Sequence, residues 1–219
     1  MLVPFFYALT TSMLKGALVT LTSWKVEGRQ NVPARGPVIV VSNHLSVVDP
    51  PLLGASLSRR VVFMAKEELF HSWMWSWSYR GYGAFPVKRG GPDRKALHQA
   101  DATLKQGMAL GVFPEGRRSR TAQMNSASEG AALIALRSGA PILPVAITGS
   151  EKLRGAEVIW SRPCITVRIG EPFYLSAEEG KVTKASMAAA TDTIMKRIAE
   201  MLPESYRGAY GEGLAGVAP

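Results

Sequence analysis

The sequence predicts a single α/β domain whose mainly parallel central sheet is flanked by helices, preceded by an N-terminal amphipathic helix. Three observations lead there. Short apolar, β-branched runs alternate with helical stretches, the order of a sheet covered on both faces. A chain of 219 residues, 47% hydrophobic and 20% charged, is long enough for one domain with a substantial core and short for two. No internal repeat or long low-complexity tract interrupts the alternation.

The first segment, residues 1–23, differs in composition from the rest. Phe6, Leu9, Met13, Ala17, Leu21 and then Trp24 recur at steps of three and four, an apolar stripe beside a Thr/Ser/Lys band. A helix lying in a membrane interface fits this pattern, and so does a helix covering the domain's own core. No basic residue precedes the apolar stretch and no small-x-small cleavage site is evident, which argues against a secretory signal peptide. Spanning a bilayer would place Lys15 in hydrocarbon, at about 2.5–3.5 kcal/mol if it sat at the centre.

From Trp24 to residue 202 the elements follow in order. Val38–Val41, Val61–Met64, Ala84–Val87, Leu110–Phe113, Ile142–Ile147 and Ile165–Ile169 read as strands. Leu52–Leu57, Pro92–Lys105, Glu129–Ser138 and Ala185–Met201 read as helices between and after them. The closing segment, 203–219, is a C-terminal tail, of which GAYGEGLAGVAP (208–219) is expected to pack loosely or fray.

A net charge of +9 favours an anionic partner: nucleic acid, an anionic membrane surface or a phosphorylated substrate. The cations gather in two places, Lys88, Arg89, Arg94 and Lys95, then Arg117, Arg118 and Arg120. Compact clusters of this kind suit a small phosphate better than a long duplex. One cysteine, Cys164, excludes an intramolecular disulfide, and three histidines without clustering give no zinc-ligand pattern.

Chemistry concentrates where strands end. In SNHLSVVDP (42–50), His44 stands five residues before Asp49, just past a buried run. On a continuous helix this spacing separates the side chains by about 140°. A turn is therefore needed, and Asp49 before Pro50-Pro51 suits one, with a helix starting just after it. Asp49 then orients one ring nitrogen of His44 and leaves the other to take a proton from a substrate hydroxyl. The alternative is a capping Asp49 beside an ordinary histidine.

GAFPVKRGGPDRK (83–95) delivers Lys88 and Arg89 with flexible glycines at a second strand end, a grip for a phosphate monoester or a solvated basic loop. VFPEGRRSR (112–120) lies at a third. There Arg118, with Arg117 or Arg120, has the donors for a dianionic phosphate, and Gly116 permits close backbone approach. Glu115 repels phosphate, so its expected part is to accept from a substrate hydroxyl or to fix Arg118. Neither the spacing nor the GK[ST] ending of a Walker loop is present, and no G-x-S-x-G elbow occurs.

Taken in order, NHLSVVDP, FPVKRGG, FPEGRRSR and PILPVAITG resemble the four motifs of the glycerolipid acyltransferases, the family typified by 1-acylglycerol-3-phosphate acyltransferase. The match covers roughly Trp24 to Pro172. It implies a glycerol-3-phosphate acyltransferase-like fold, His44 as general base and Asp49 as its orienting partner. It also implies substrate contacts from Lys88, Arg89, Glu115, Gly116, Arg118 and Ser119. Arg117 stands where the family usually has threonine, and Ser128-Glu129 precede Gly130 where a lysine is common.

The resemblance implies transfer of an acyl group from acyl-CoA or acyl carrier protein to a lysophospholipid, without cofactor or metal, at the cytoplasmic face of a membrane as a peripheral or monotopic protein. No nucleic-acid partner is expected. Glycerol 3-phosphate or an amino-acid lysolipid are alternative acceptors, and a non-catalytic basic membrane-binding module is an alternative of another class. FHSWMWSWSYRGYGAF (70–85) places Phe70, Trp73 and Trp77 on one helical face, for a membrane interface, an acyl chain or core packing. His71 and His98 lie in no motif.

Overall fold

The computed structural model describes residues 2–88, 91, 93–155, 158–175 and 181–211. Its centre is a seven-stranded sheet made of β1 (Ser23–Glu27), β2 (Val38–Ser42), β3 (Val61–Lys66), β4 (Phe85–Val87), β5 (Ala109–Val112), β6 (Ile142–Thr148) and β7 (Cys164–Ile169). The strand order is β1-β7-β6-β2-β5-β3-β4. Every pairing is parallel except β6 with β7. The six expected strands are present, and β1 is an addition. Its SWKVE alternates polar and apolar residues and half-buries Trp24 and Val26, a weaker signal than the continuous apolar runs.

Helices cover both faces. They are α1 (Leu2–Leu21), α2 (Asp49–Ser56), α3 (Trp73–Gly81), α4 (Arg94–Lys105), α5 (Gly130–Ser138), α6 (Val158–Ser161), α7 (Lys184–Glu200) and α8 (Glu204–Arg207). Strand β2 explains the two cores: Ile39 and Val41 face a cluster with Ile134 of α5 and Ile194, Met195 and Ile198 of α7. Val38 and Val40 face another with Leu52 and Leu53 of α2. Because successive side chains alternate across a strand, both faces of VIVVS must be apolar, and all five residues are buried.

Helix α1 docks on α2 and α3 through Tyr7, Thr11, Leu14 and Leu18, spaced four, three and four apart. Tyr7 and Tyr82 stack at 4.6 Å above Gly54 of α2, where any Cβ would collide with both hydroxyls. Most of the stripe expected from sequence faces the other way: Leu9, Met13, Ala17 and Leu21 are exposed, together with Phe5 and Val19, while Phe6 packs edge-on against Trp77 of α3. One helix therefore carries two apolar faces. No helix among the described residues is long and apolar enough to cross a membrane.

One local expectation needs correction. Asp49 is the first residue of α2 rather than its predecessor, because the carboxylate is anchored to the turn before it and holds the residue at the helix start despite the following proline. Residues just before the GAYGEGLAGVAP segment pack on the domain. Tyr206 donates to Glu151 Oε1 at 2.8 Å and its carbonyl accepts from Met124 N–H, while the buried Arg207 donates to the Leu202 carbonyl. Residues 212–219 lie outside the described residues.

Candidate active site

Strands β2, β3, β4, β5 and β6 run the same way, so their C-terminal ends gather the motif loops at one edge of the sheet. There the chain leaving β2 turns, and His44 Nδ1 lies 2.8 Å from Asp49 Oδ2. The same oxygen accepts from the backbone N–H groups of Leu45 at 2.6 Å and Ser46 at 2.7 Å. These donors precede α2, and no side chain caps that helix, so the capping alternative for Asp49 does not hold. An acceptor-only carboxylate at Nδ1 sets the tautomer: the hydrogen sits on Nδ1 and the lone pair on Nε2. Nε2 has no partner among the described residues, and the ring is 14% exposed.

The loop after β5 clamps His44 on three sides. Glu115 Oε1 accepts from the His44 N–H at 3.1 Å, and Ser119 N–H donates to the His44 carbonyl at 2.7 Å. The Phe113 ring stacks on the imidazole with centroids 4.1 Å apart. Glu115 Oε2 takes two further bonds, from Asn125 N–H at 2.8 Å and Nδ2 at 2.7 Å. Burial pushes the Glu115 carboxyl above the ordinary range, and the Asn125 and His44 donors oppose that shift.

Glu115, expected to accept from a substrate hydroxyl or to fix Arg118, serves backbone and amide donors of the protein in this structure. Its oxygens are occupied by protein donors, and among the described residues it makes no ion pair with Arg118. Ser119 is likewise buried, with its Oγ accepting from Thr121 N–H at 3.3 Å, which ties it to the loop and not to solvent. Gly116 turns with φ 65°, the left-handed region, and so swings the loop back toward His44. Arg117, Arg118 and Arg120 are exposed and make no ion pair among the described residues.

Lys88 sits at the end of β4. Its N–H donates to Asp93 Oδ2 at 2.8 Å, and Asp93 also caps α4 through Lys95 and Ala96 N–H groups. The Lys88 ammonium is exposed, 3.8 Å from Glu67. Arg89 lies outside the described residues.

Two residues outside the expected set complete the edge. Asn43 pairs both ways with Ile147, Nδ2 donating to the carbonyl and Oδ1 accepting from the N–H, each at 2.8 Å. Ser150 Oγ donates to Asp49 Oδ1 at 2.6 Å. Asn43 is visible as the residue before His44, but its partner 104 positions away is not. Ser150 follows directly on PILPVAITG and reads as a turn residue.

The acyltransferase family model matches residues 23–148, more than half of the chain. The chain belongs to the acyltransferase family. Among its relatives, a 1-acyl-sn-glycerol-3-phosphate acyltransferase of Bacillus subtilis is 30% identical over 197 residues, 89% of this chain and 96% of that protein. One of Streptococcus pneumoniae is 32% identical over 168 residues, 73% of this chain and 61% of its own length. The crystal structure of the 1-acyl-sn-glycerophosphate (LPA) acyltransferase PlsC from Thermotoga maritima superposes with a TM-score of 0.66 at 25% identity, covering 89% of this chain and 79% of that one. In this acyltransferase the matched region ends on β6, so the family's extent takes in His44, Asp49 and the Glu115 loop but stops short of Ser150.

Proposed function

We propose that the protein moves a fatty acyl group from a thioester donor, acyl-CoA or acyl carrier protein, to the free hydroxyl of 1-acylglycerol 3-phosphate, giving phosphatidic acid. The observation that carries this reading is the His44–Asp49 pair, with Nε2 unpartnered at the edge where the motif loops meet. His44 Nε2 removes the hydroxyl proton as the oxygen attacks the thioester carbonyl, and Asp49 stabilises the imidazolium that forms. When the tetrahedral intermediate collapses, the carbon–sulfur bond breaks and the imidazolium returns its proton to the leaving thiolate. The steps involve the two substrates and these side chains, with no resident cofactor.

Arg118 and Lys88 are proposed to hold the acceptor phosphate, with Arg89 beside them in sequence. For Arg118 the support is an exposed guanidinium without an acidic partner among the described residues, so a dianion gains charge-assisted bonds without displacing a pair, whereas Lys88 would exchange its long contact with Glu67. Glu115 and Ser119 act behind them by fixing the His44 backbone.

A peripheral seat on an anionic membrane at the cytoplasmic face fits the outward stripe of α1. Trp160, 86% exposed, and Ile159 add apolar surface near the end of that helix, where Ser23 N–H donates to the Pro163 carbonyl. An open cleft of about 550 Å³ beside them is lined by Lys152, Arg154 and Arg162, with Glu151 among them.

The test is turnover of the purified protein with a panel of lysolipids and both donor types, products identified by mass spectrometry, beside His44→Ala. Phosphatidic acid formation that falls at least about 100-fold in a folded His44→Ala protein is expected, the low end for loss of a positioned base. Undiminished transfer would end the reading.

A further inference from the structure

We infer that Ser150 is a positioning residue for the reaction, the third member of a buried relay His44–Asp49–Ser150. The inference rests on the proposed role of His44 and Asp49 and extends it to a residue beyond the matched family region.

The geometry is specific. Both Asp49 and Ser150 are fully buried, and the 2.6 Å bond between them is short. Asp49 Oδ2 is saturated by His44, Leu45 and Ser46, whereas Oδ1 has Ser150 Oγ as its only partner among the described residues. A hydroxyl donating to a buried carboxylate has two effects. It offsets the cost of taking Oδ1 out of water, and it fixes the carboxylate plane so that Oδ2 stays in line with Nδ1.

The fold spends several devices on bringing that hydroxyl there. Gly149, at φ 83°, turns the chain sharply as it leaves β6, and a Cβ at this position would collide with the Cys164 carbonyl oxygen. Only glycine adopts this turn so close to β7 without strain. Ser150 then opens a 3-10 turn, Ser150–Lys152, closed by Leu153 N–H on the Ser150 carbonyl. Tyr206 holds the next residue through Glu151 Oε1. Upstream, the Asn43–Ile147 clip ties the end of β6 to the residue before His44, so Ser150 and the imidazole ride on one rigid edge.

The experiment is a double-mutant cycle with Ser150→Ala, Asp49→Asn and the pair, measuring kcat, both KM values and thermal midpoint, with His44→Ala as reference. Ser150→Ala is expected to lower kcat about 10- to 100-fold, the worth of one hydrogen bond to a charged group, with both KM values within about twofold. In the Asp49→Asn background the same change should cost less than about threefold, since the charge it serves is gone. A purely structural serine would lower the thermal midpoint and cost the same factor in both backgrounds. That outcome, or wild-type kcat in a folded Ser150→Ala protein while His44→Ala is inactive, overturns the inference and leaves the proposed base standing. Full activity of His44→Ala removes both.

Discussion

Asn43 and Ile147 are joined side chain to main chain by two 2.8 Å bonds, which splice the end of β2 to the end of β6 one residue before His44. Both residues are buried, so the Ile147 N–H and carbonyl have no access to water if the amide is lost. Asn43→Ala is expected to destabilise the fold by about 1–3 kcal/mol for each group left unpaired. Urea titration with an unchanged m-value reads this directly. A midpoint equal to wild type would show that the edge is held by strand pairing alone.

Glu115 presents a related case with a pH signature. Glutamine offers one acceptor oxygen where Glu115 serves His44 N–H with one oxygen and Asn125 with the other, so Glu115→Gln sets an NH2 group against a donor. Turnover is expected to fall about tenfold or more at neutral pH as the His44 backbone loosens. The folded-state carboxyl is raised by burial, so its contribution to stability is full below the ordinary carboxylate pKa and is lost as pH rises through the raised value. Wild type should therefore gain stability relative to Glu115→Gln as pH is lowered through that window. Parallel stability curves for the two proteins would contradict the buried, raised carboxyl.

The motif blocks were readable because each carries its chemistry in consecutive residues. SNHLSVVDP contains the histidine, the turn and the carboxylate, and FPEGRRSR contains the arginines. Ser150 and Ile147 were not readable, since their partners Asp49 and Asn43 lie 101 and 104 positions away and only the β2–β6 pairing brings them together. A carboxylate among arginines reads as their partner, and the bond Glu115 makes to the backbone of His44, 71 positions away, is equally out of sight in the sequence. Periodicity likewise identified α1 as a helix but not its docked face. Both faces are apolar, and the choice falls to Gly54, whose missing side chain admits Tyr7 and Tyr82.

The two faces of α1 make the proposed membrane binding separable from folding. Leu9 and Met13 are 48% and 68% exposed, whereas Leu18 is 3% exposed. Leu9→Ser with Met13→Ser should leave the thermal midpoint unchanged and weaken binding to anionic vesicles by at least about tenfold, since each side chain inserted in lipid contributes up to about 1.5–3 kcal/mol. Leu18→Ser should instead destabilise the fold by about 2–5 kcal/mol through the cavity and the buried hydroxyl. Vesicle binding untouched by the outer pair would remove α1 from the membrane contact.

The arginine loop carries the remaining prediction. Ser119 N–H is bonded to the His44 carbonyl, so Arg118 is one residue from a direct contact with the His44 backbone, exposed and without an ion pair among the described residues. If it holds the acceptor phosphate, Arg118→Ala should cost about 1.5–3 kcal/mol in acceptor kcat/KM, the worth of a hydrogen bond to a charged group, with donor KM nearly unchanged. Lys88→Ala should act on the same parameter. Its effect should be smaller, because an ammonium binds phosphate as a point charge and a guanidinium binds it bidentately. The assay compares 1-acylglycerol 3-phosphate with its dephosphorylated counterpart for each variant, at two salt concentrations. Loss of the preference for the phosphorylated lipid in Arg118→Ala is the expected result. A preference that survives in both variants, with the loss appearing in donor KM or vesicle binding, would reassign these cations to the donor or the membrane.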